Sequence, residues 1–316
     1  MVFERVACIG AGLIGHSWAA LFAIKGFKVK LYDIGAEQLE SAKRRIEGSL
    51  NFLERKGLLE ERVGEEALSR IEFTTDLVEA VEDVDYVQES IYERYDAKKA
   101  VFRELDAHTP EDVILASSTS GLLMTEIQKV TEKPERCVIA HPWNPPLLIP
   151  LVEIVPGEKT AQSTVDTTYE LMLKLGKVPV VLKREVPGFI GNRLQAALWR
   201  EAISLVDRGV ASVEDVDKAL RAGPGIRWGL MGPHMTLHLG GGKGGIESFI
   251  THLGPTYSTI WRDMDCWVKI PKSAAEKVIK GVDEMMKASG KSMEEIANWR
   301  DEKLVEILKI IYGEIF

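Results

Sequence analysis

The sequence lacks the features that mark secreted, membrane-spanning and nucleic-acid-binding proteins. Its three cysteines, Cys8, Cys137 and Cys266, are odd in number and include no Cys-x-x-Cys pair, so we expect neither a disulfide framework nor a metal site. No uninterrupted apolar stretch reaches the roughly 18 residues that a membrane-spanning helix needs. The net charge is −8 without any basic cluster, which argues against nucleic acid and anionic membranes as partners.

The cysteines also bear on the cellular compartment. Two lie in apolar strand-like runs and the third in a tryptophan-rich helical region, so we interpret all three as buried structural thiols in a reducing environment. A strand that the fold needs follows Arg5 at once, and cleavage of a signal peptide there would destroy it. We therefore predict a cytoplasmic protein.

The first part of the chain alternates strand-like and helix-like segments, and 316 residues suffice for about two domains. Nearly continuous apolar strands that alternate with helices are typical of a doubly wound, mostly parallel sheet. We predict an α/β Rossmann domain over residues 1–185. Its predicted strands are Arg5–Gly10, Lys28–Asp33, Ile71–Thr75, Tyr86–Glu89, Val113–Ser118, Cys137–His141, Leu151–Val155 and Val178–Leu182, with helices that include Ala36–Arg55, Asp96–Ala107 and Thr164–Leu175. The stretch Ala36–Arg70 is long for one crossover, so we interpret it as a helical hairpin broken near Lys56-Gly57.

Strand-like runs end near Pro187, and helical periodicity takes over. We predict an all-α domain over residues 186–316, with a hinge at Lys183–Pro187. The glycine-rich run Gly240–Gly245 lacks the Ser or Thr that follows the lysine of a phosphate-binding Walker loop, so we interpret it as an interhelical connection. The predicted helices are Phe189–Arg208, Val213–Ala222, Glu247–Val268, Ser273–Ala288 and Met293–Ile315.

A G-x-G-x-x-G fingerprint stands between the first predicted strand and a helix. Gly10 permits a tight turn, Gly12 lets the backbone approach a pyrophosphate, and Gly15 lets the helix lie close to the strand. Together with Leu13 and Ile14, these residues form a candidate site for a dinucleotide at a helix N-terminus.

Asp33 ends the second predicted strand, 23 residues after Gly10. Its carboxylate would accept hydrogen bonds from the adenosine ribose hydroxyls and repel a 2′-phosphate. The sequence therefore favours NAD over NADP as cofactor. The alternative is an aspartate that only caps the next turn.

Two polar segments follow later strands, where doubly wound sheets bind their ligands. In Ser117–Ser120, four successive hydroxyl residues exceed what helix capping requires, so we expect these hydroxyls to face the crevice. His141 ends another strand, and Glu153 lies in the wholly apolar strand that follows. A buried carboxylate needs a partner, and His141 is the obvious one, which predicts a dyad with the histidine as base.

Taken together, these motifs resemble the L-3-hydroxyacyl-CoA dehydrogenase superfamily across nearly the whole chain. The finer resemblance is to its lambda-crystallin/L-gulonate 3-dehydrogenase and L-carnitine dehydrogenase branch. The superfamily motifs are Gly10, Gly12, Gly15, Ser120, His141–Asn144, Glu153 and Pro187–Arg193, and the branch motifs are Ser117–Leu122, Leu198–Ala202, Gly225–Trp228 and Met231–Pro233.

The resemblance implies a role for each site residue. His141 is the general base and Glu153 its orienting partner, while Ser120 and Asn192 hydrogen-bond the reacting oxygen. Asn144, Glu93 and Lys98 are implied to touch the nicotinamide side of NAD; for Glu93 and Lys98 the alternative is a solvated pair of charges at a helix start. The implied reaction is oxidation of the 3-hydroxyl of an L-3-hydroxy acid, and the implied assembly is a homodimer through the helical domain.

Arg227 indicates a free acid as substrate, because a guanidinium in a cleft can bind a carboxylate through two hydrogen bonds. We therefore predict a small L-3-hydroxycarboxylate. The alternatives are a surface arginine paired with an acid, a CoA thioester substrate for which Arg55 and Lys56 would contact phosphate, and a crystallin-like NAD-binding protein without turnover. Four tryptophans could form a cation–π cage for a quaternary ammonium group, as carnitine would require, although core positions are commoner: Trp199, Trp228, Trp261 and Trp267.

Overall fold

A computed structural model describes residues 3–313 of the chain. Within this range, eight strands form one sheet in the order β3-β2-β1-β4-β5-β6-β7-β8, and every neighbouring pair is parallel except β6 and β7. All eight predicted strands are present, so the doubly wound, mostly parallel sheet is confirmed. The strands are β1 (Arg5–Ile9), β2 (Lys28–Tyr32), β3 (Ile71–Thr74), β4 (Tyr86–Glu89), β5 (Ile114–Ser117), β6 (Cys137–Pro142), β7 (Leu151–Pro156) and β8 (Val178–Val181).

The central strands are buried on both faces, because helices cover the sheet on each side. In β1, Val6 and Cys8 pack into one apolar cluster, while Ala7 and Ile9 pack into the other. This alternation follows from the two-residue repeat of a strand. The helices that accompany the sheet are α1 (Gly15–Ile24), α2 (Ala36–Arg55), α3 (Val63–Ser69), α4 (Leu77–Val81), α5 (Tyr95–His108), α6 (Met124–Ile127) and α7 (Gln162–Lys174).

The strand order reverses next to β1. The chain runs outward through β2 and β3 and then returns to place β4 on the other side of β1. In open α/β sheets, ligands bind at such a reversal, outside the carboxyl ends of the strands. At that edge, Gly10 follows β1 and Ser90 follows β4. The Ser90 N–H donates to the Ile9 carbonyl at 2.7 Å.

Between β8 and residue 313 the remaining elements are all helices, which confirms the predicted helical C-terminal region. The chain contacts divide the protein into one compact unit of residues 194–300 and another that contains everything else. In the larger unit, Val305 and Leu308 pack with Leu53 and Leu148. The domain boundary after residue 185 stays a prediction. The helices are α8 (Gly191–Asp207), α9 (Val213–Ala222), α10 (Pro224–Gly240), α11 (Gly245–Asp263), α12 (Lys272–Ser289) and α13 (Met293–Tyr312).

Three details differ from the sequence-based expectations. Helix α10 was not predicted, because glycines and Pro233 obscure its periodicity; it is kinked at Gly232, where φ is 71°. Cys266 is exposed in the loop after α11, so its prediction as a buried helical thiol is wrong. The predicted extension of the last helix to Ile315 lies outside the described residues.

Within residues 3–313, no cluster of three or more His, Cys, Asp or Glu side chains is arranged to hold a metal ion. In the same part of the chain, none of the helices combines the length and apolar character needed to cross a bilayer.

Candidate active site

The turn after β1 has the geometry of a dinucleotide-binding loop. Gly10 has φ of +97° and its N–H donates to the Tyr32 carbonyl at 2.8 Å, which binds the turn to β2. A Cβ atom at Gly15 would lie 1.7 Å from the Gly10 carbonyl oxygen, so only glycine lets α1 start this close to the strand. At Gly12 a Cβ would meet nothing within 4 Å, which leaves open space on that side of the turn.

The residues around this turn therefore fit an adenine dinucleotide. Leu13 is exposed on the turn, whereas Ile14 packs against the apolar core and anchors the start of α1. The start of α1 is the positive end of the helix dipole, and a helix N-terminus favours an anion such as a pyrophosphate.

Asp33 is held at the end of β2 by the same turn. Its Oδ2 accepts from Ala11 N at 2.8 Å, and its Oδ1 accepts from Gly35 N at 3.3 Å. Each carboxylate oxygen keeps a second lone pair for a further donor. Asp33 thus stabilises the local turn, which is the role that the alternative interpretation gives it. Its carboxylate can also accept a hydrogen bond from a ribose hydroxyl.

His141 and Glu153 lie directly opposite each other in the antiparallel pair β6–β7. His141 Nδ1 is 2.9 Å from Glu153 Oε2, and both side chains are buried. The imidazole ring packs edge-on against Phe189, with the ring centroids 5.4 Å apart. His141 Nε2 forms no hydrogen bond with any residue of the described chain, so this nitrogen is available to a ligand.

Glu153 accepts three further hydrogen bonds that sequence reasoning did not find. Trp143 Nε1 donates to Oε2 at 3.2 Å, and the backbone N–H groups of Ile190 and Gly191 donate to Oε1 at 2.8 and 3.0 Å. A Cβ at Gly191 would lie 2.5 Å from the Trp143 ring, so the glycine makes room for this tryptophan.

These donors explain how a charge persists inside the sheet. Burial alone would raise the pKa of Glu153, but the hydrogen bonds from His141, the two backbone amides and Trp143 together hold its pKa below the usual value. The carboxylate therefore remains ionised next to the imidazole.

The hydroxyl run after β5 differs from its prediction, because three of its four hydroxyls face the protein interior. Ser117 Oγ donates to Glu89 Oε2 at 2.6 Å, and Ser118 Oγ accepts from Gln88 Nε2 at 2.7 Å. Thr119 Oγ1 donates to Glu93 at 2.6 Å. Polar side chains in and just after β4 accept from or donate to these hydroxyls, which sequence spacing could not reveal. Of the four residues Ser117–Ser120, only Ser120 is exposed.

Glu93 fixes the backbone that carries Ser120. Its Oε1 accepts from Ser120 N at 2.8 Å and from Gly121 N at 3.1 Å. Asn192, at the start of α8, donates from Nδ2 to the Ser120 carbonyl at 2.9 Å. The structure thus brings Ser120, Glu93 and Asn192 together at the carboxyl edge of the sheet.

Lys98 is almost fully buried, so the alternative of a solvated charge does not hold for it. Its Nζ lies 2.8 Å from Glu89 Oε1 and 3.7 Å from Glu93 Oε2. Glu89 was missed by sequence reasoning, because a buried acid at the end of an apolar strand gives no pattern of its own. Asn144 is exposed in the loop after β6. Contacts of Glu93, Lys98 and Asn144 with NAD remain predictions.

Arg227 belongs to the separate helical unit, in the first turn of α10. It is exposed and forms no hydrogen bond or ion pair with another residue of the described chain, so the alternative of a surface ion pair is not observed. Trp228 follows it and is also exposed. Among residues 3–313, no two of the four tryptophans proposed as a cage have rings in contact; Trp261 packs against Tyr257 instead.

Comparison with known proteins identifies the family. Residues 5–186 match the NAD binding domain of 3-hydroxyacyl-CoA dehydrogenase, and residues 188–293 match the C-terminal domain of the same family. The chain belongs to the 3-hydroxyacyl-CoA dehydrogenase family.

Full-length relatives agree with this assignment. An L-carnitine dehydrogenase of Streptomyces coelicolor is 41% identical over 306 residues, which cover 97% of this chain and 94% of the relative. One of Oceanobacillus iheyensis is 37% identical, with 98% of each chain covered.

Solved structures agree as well. A 5-formyl-3-hydroxy-2-methylpyridine 4-carboxylic acid 5-dehydrogenase, described as an NAD⁺-dependent dismutase, aligns with a TM-score of 0.84 at 30% identity, covering 99% of each chain. A 3-hydroxyacyl-CoA dehydrogenase from Archaeoglobus fulgidus aligns with a TM-score of 0.67 at 30% identity, covering 98% of this chain and all of the other.

These likenesses confirm the predicted enzyme class and cofactor. The protein is an NAD-dependent 3-hydroxy acid dehydrogenase that oxidises a small 3-hydroxycarboxylate.

Proposed function

We propose that this enzyme oxidises the 3-hydroxyl group of L-carnitine to the corresponding ketone, with His141 as general base. The observation that carries the proposal is the pair formed by His141 Nδ1 and the buried Glu153 carboxylate, 2.9 Å apart, with Nε2 left free. NAD, when bound, supplies the acceptor for the hydride that leaves C3 of the substrate.

The carboxylate sets the proton positions on the imidazole. An ionised Glu153 accepts the Nδ1–H, which fixes the neutral tautomer that has its lone pair on Nε2. Nε2 takes the hydroxyl proton of the substrate, and the resulting imidazolium is stabilised by the same carboxylate. A base placed in this way contributes on the order of 10²- to 10⁴-fold to turnover.

Ser120 and Asn192 would stabilise negative charge on the reacting oxygen. The hydrogen bond from Asn192 Nδ2 to the Ser120 carbonyl places both residues at one edge of the sheet. Glu93 keeps the Ser120 backbone in position through two backbone N–H groups. Donors that are fixed before the reaction need no reorganisation as charge develops on oxygen.

The cofactor would lie along the reversal of strand order. Gly10, Gly12 and Gly15, with the turn residues Leu13 and Ile14, would hold the pyrophosphate, and Asp33 the adenosine ribose. We propose Glu93, Lys98 and Asn144 for the nicotinamide side. Lys98 Nζ lies 2.8 Å from Glu89 Oε1, so the carboxylate of Glu89 compensates the positive charge of Lys98 in this site.

Two features of the chain favour a free acid over a CoA thioester. Arg227 carries an exposed guanidinium without a protein partner in the described chain, and we propose that it binds the substrate carboxylate. Lys56, a candidate contact for CoA phosphate, is instead 2.9 Å from Glu302, and its carbonyl accepts from Lys309 Nζ at 3.0 Å. L-carnitine is the named substrate of the relatives at 41% and 37% identity.

L-gulonate is a second candidate, because the sequence motifs also resemble the L-gulonate 3-dehydrogenase branch of the family. The experiment is a substrate panel with NADH absorbance as readout: L-carnitine, D-carnitine, L-gulonate, L-3-hydroxybutyrate and its CoA thioester. We expect the highest kcat/KM for L-carnitine and none for its D-enantiomer. A higher kcat/KM for L-gulonate or for the thioester would overturn the proposal, and so would an absence of turnover with every acid.

We also propose a homodimer that forms through the helical domain, a domain boundary after residue 185, and a cytoplasmic location. The support for the dimer is the number of exposed apolar side chains in the helical unit, which include Leu194, Ile226, Leu230, Ile250 and Trp261. Sedimentation equilibrium should give twice the mass of one chain. A monomer at micromolar concentration would contradict it.

A further inference from the structure

Arg45 lies on α2 beside the glycine turn. Helix α2 buries Leu39, Ala42 and Ile46 against the core, and Arg45 stands next to this buried face. Its guanidinium Nη2 donates to the Ala11 carbonyl at 3.3 Å, inside the Gly10–Gly15 run. Among the Lys and Arg side chains of residues 3–313, Arg45 alone donates to this run.

The contact with Ala11 uses only a small part of the guanidinium. Arginine has five N–H donors. The Nε atom of Arg45 is buried and has no hydrogen-bond partner. No acidic side chain of the described chain forms an ion pair with Arg45, although the protein has 48 Asp and Glu residues in all. A buried donor without a partner is costly, so its presence indicates a ligand that completes it.

The charge of Arg45 also reaches the first turn of α1. Burial lowers the pKa of His16. The hydrogen bond from His16 to the Gly12 carbonyl raises this pKa in part, and the positive charge of Arg45 lowers it further. The positive field of the guanidinium therefore coincides with the helix N-terminus at the turn.

We propose that Arg45 is a further cofactor-binding residue, whose guanidinium contacts the pyrophosphate of NAD from the side of α2. Two charged phosphate groups would pair with donors from two elements, the backbone amides at the start of α1 and the planar guanidinium of α2. Arginine suits this position because its N–H groups match two phosphate oxygens at once. The inference concerns cofactor binding only and does not depend on which hydroxy acid is the substrate.

The test measures binding of NADH, ADP-ribose and adenosine without any hydroxy acid present, by NADH fluorescence and by competition. Arg45→Met should weaken NADH and ADP-ribose roughly 10- to 100-fold, as expected for the loss of a hydrogen bond to a charged group. Adenosine, which has no phosphate, should bind as it does to the wild-type protein. Arg44→Met is the matched control, since Arg44 is the exposed neighbour on the same helix.

A second variant separates the charge from the bond to Ala11. Arg45→Gln removes the charge but keeps a side-chain donor for the Ala11 carbonyl, and we expect it to lose NADH affinity nearly as strongly as the methionine variant. Wild-type NADH affinity in either variant would overturn the proposal. So would an equal loss for adenosine, because Arg45 would then act only by shaping the turn.

Discussion

Glu153 joins the histidine of one strand to the first turn of a helix. Its Oε2 accepts from His141 Nδ1 at 2.9 Å, while its Oε1 accepts from the backbone of Ile190 and Gly191. The next residue, Asn192, is the one proposed to stabilise the reacting oxygen. A single carboxylate thus fixes the position of the base relative to the backbone from which Asn192 projects.

Replacing the base should stop the reaction but leave the cofactor bound. We expect His141→Ala to lower kcat about 10²- to 10⁴-fold, since Nε2 is the proton acceptor. The affinity for NADH should stay within about twofold. His108→Ala is a suitable control, because His108 is exposed at the end of α5. A variant that kept a tenth of normal turnover would rule out His141 as the base.

The contribution of Trp143 should depend on pH. Trp143→Phe keeps an aromatic ring but removes the N–H that donates to Glu153, so the pKa of this carboxyl should rise toward its usual value. A carboxyl with a lowered pKa stabilises the fold above its ordinary pKa and loses this effect as pH falls through the lowered value. The loss of stability in the variant, about 1.5–3 kcal/mol at pH 7, should shrink at acid pH.

Urea unfolding followed by circular dichroism at pH 7 and near pH 3 measures this difference. Trp299→Phe is the control, since Trp299 is exposed. A difference of the same size at both pH values would show that Trp143 acts by packing alone.

Removing the guanidinium of Arg227 should affect small acids selectively. Arg227→Met should raise KM for the preferred 3-hydroxycarboxylate roughly 10- to 100-fold, because a charged hydrogen-bond donor to the carboxylate is lost. The affinity for NADH should not change. Steady-state kinetics of this variant and of Arg221→Met, an exposed arginine at the end of α9, provide the comparison. An unchanged KM would remove Arg227 from the substrate site.

Lys177 should make stability increase with pH. Its Nζ is buried and donates to the carbonyls of Pro146 and Ile149, and burial together with the charge of Lys25 lowers its pKa to about 7. Between pH 7 and the ordinary lysine value, the unfolded chain binds one proton more than the folded one. The free energy of unfolding should therefore rise with pH by up to about 1.4 kcal/mol per unit from this group.

Lys177→Met should remove this slope, whatever it does to the absolute stability. Denaturant unfolding at pH 7, 8 and 9 measures the slope, and Lys174→Met, an exposed lysine at the end of α7, is the control. Equal slopes in the wild type and the Lys177 variant would contradict the assignment.

The sheet could be predicted from sequence because its strands are buried on both faces. Such strands appear as unbroken apolar runs, and turn residues bound them clearly, as at Gly10 and Asp33. The pairing of His141 with Glu153 was predictable as well, since one polar residue in each of two adjacent apolar strands has few other partners. Helix α10 escaped prediction because Gly232 and Pro233 interrupt its periodicity.

Contacts between distant segments were not predictable. The bonds from Ile190 and Gly191 to Glu153 depend on how the chain leaves the sheet, where Phe189 has φ of 54°. Likewise, the hydroxyls of Ser117 and Ser118 looked available in the sequence, but polar side chains of β4 occupy them. The sequence shows that these polar groups exist, whereas only the folded structure shows which of them already have hydrogen-bond partners.

The unequal exposure of the three thiols makes the protein easy to label at one place. Burial raises the pKa of Cys8 and Cys137, which keeps both thiols protonated and unreactive. Cys266 is exposed in the loop between α11 and α12. A maleimide dye should therefore attach to the native enzyme at this position alone, and it would report on the helical unit during turnover without any engineered cysteine.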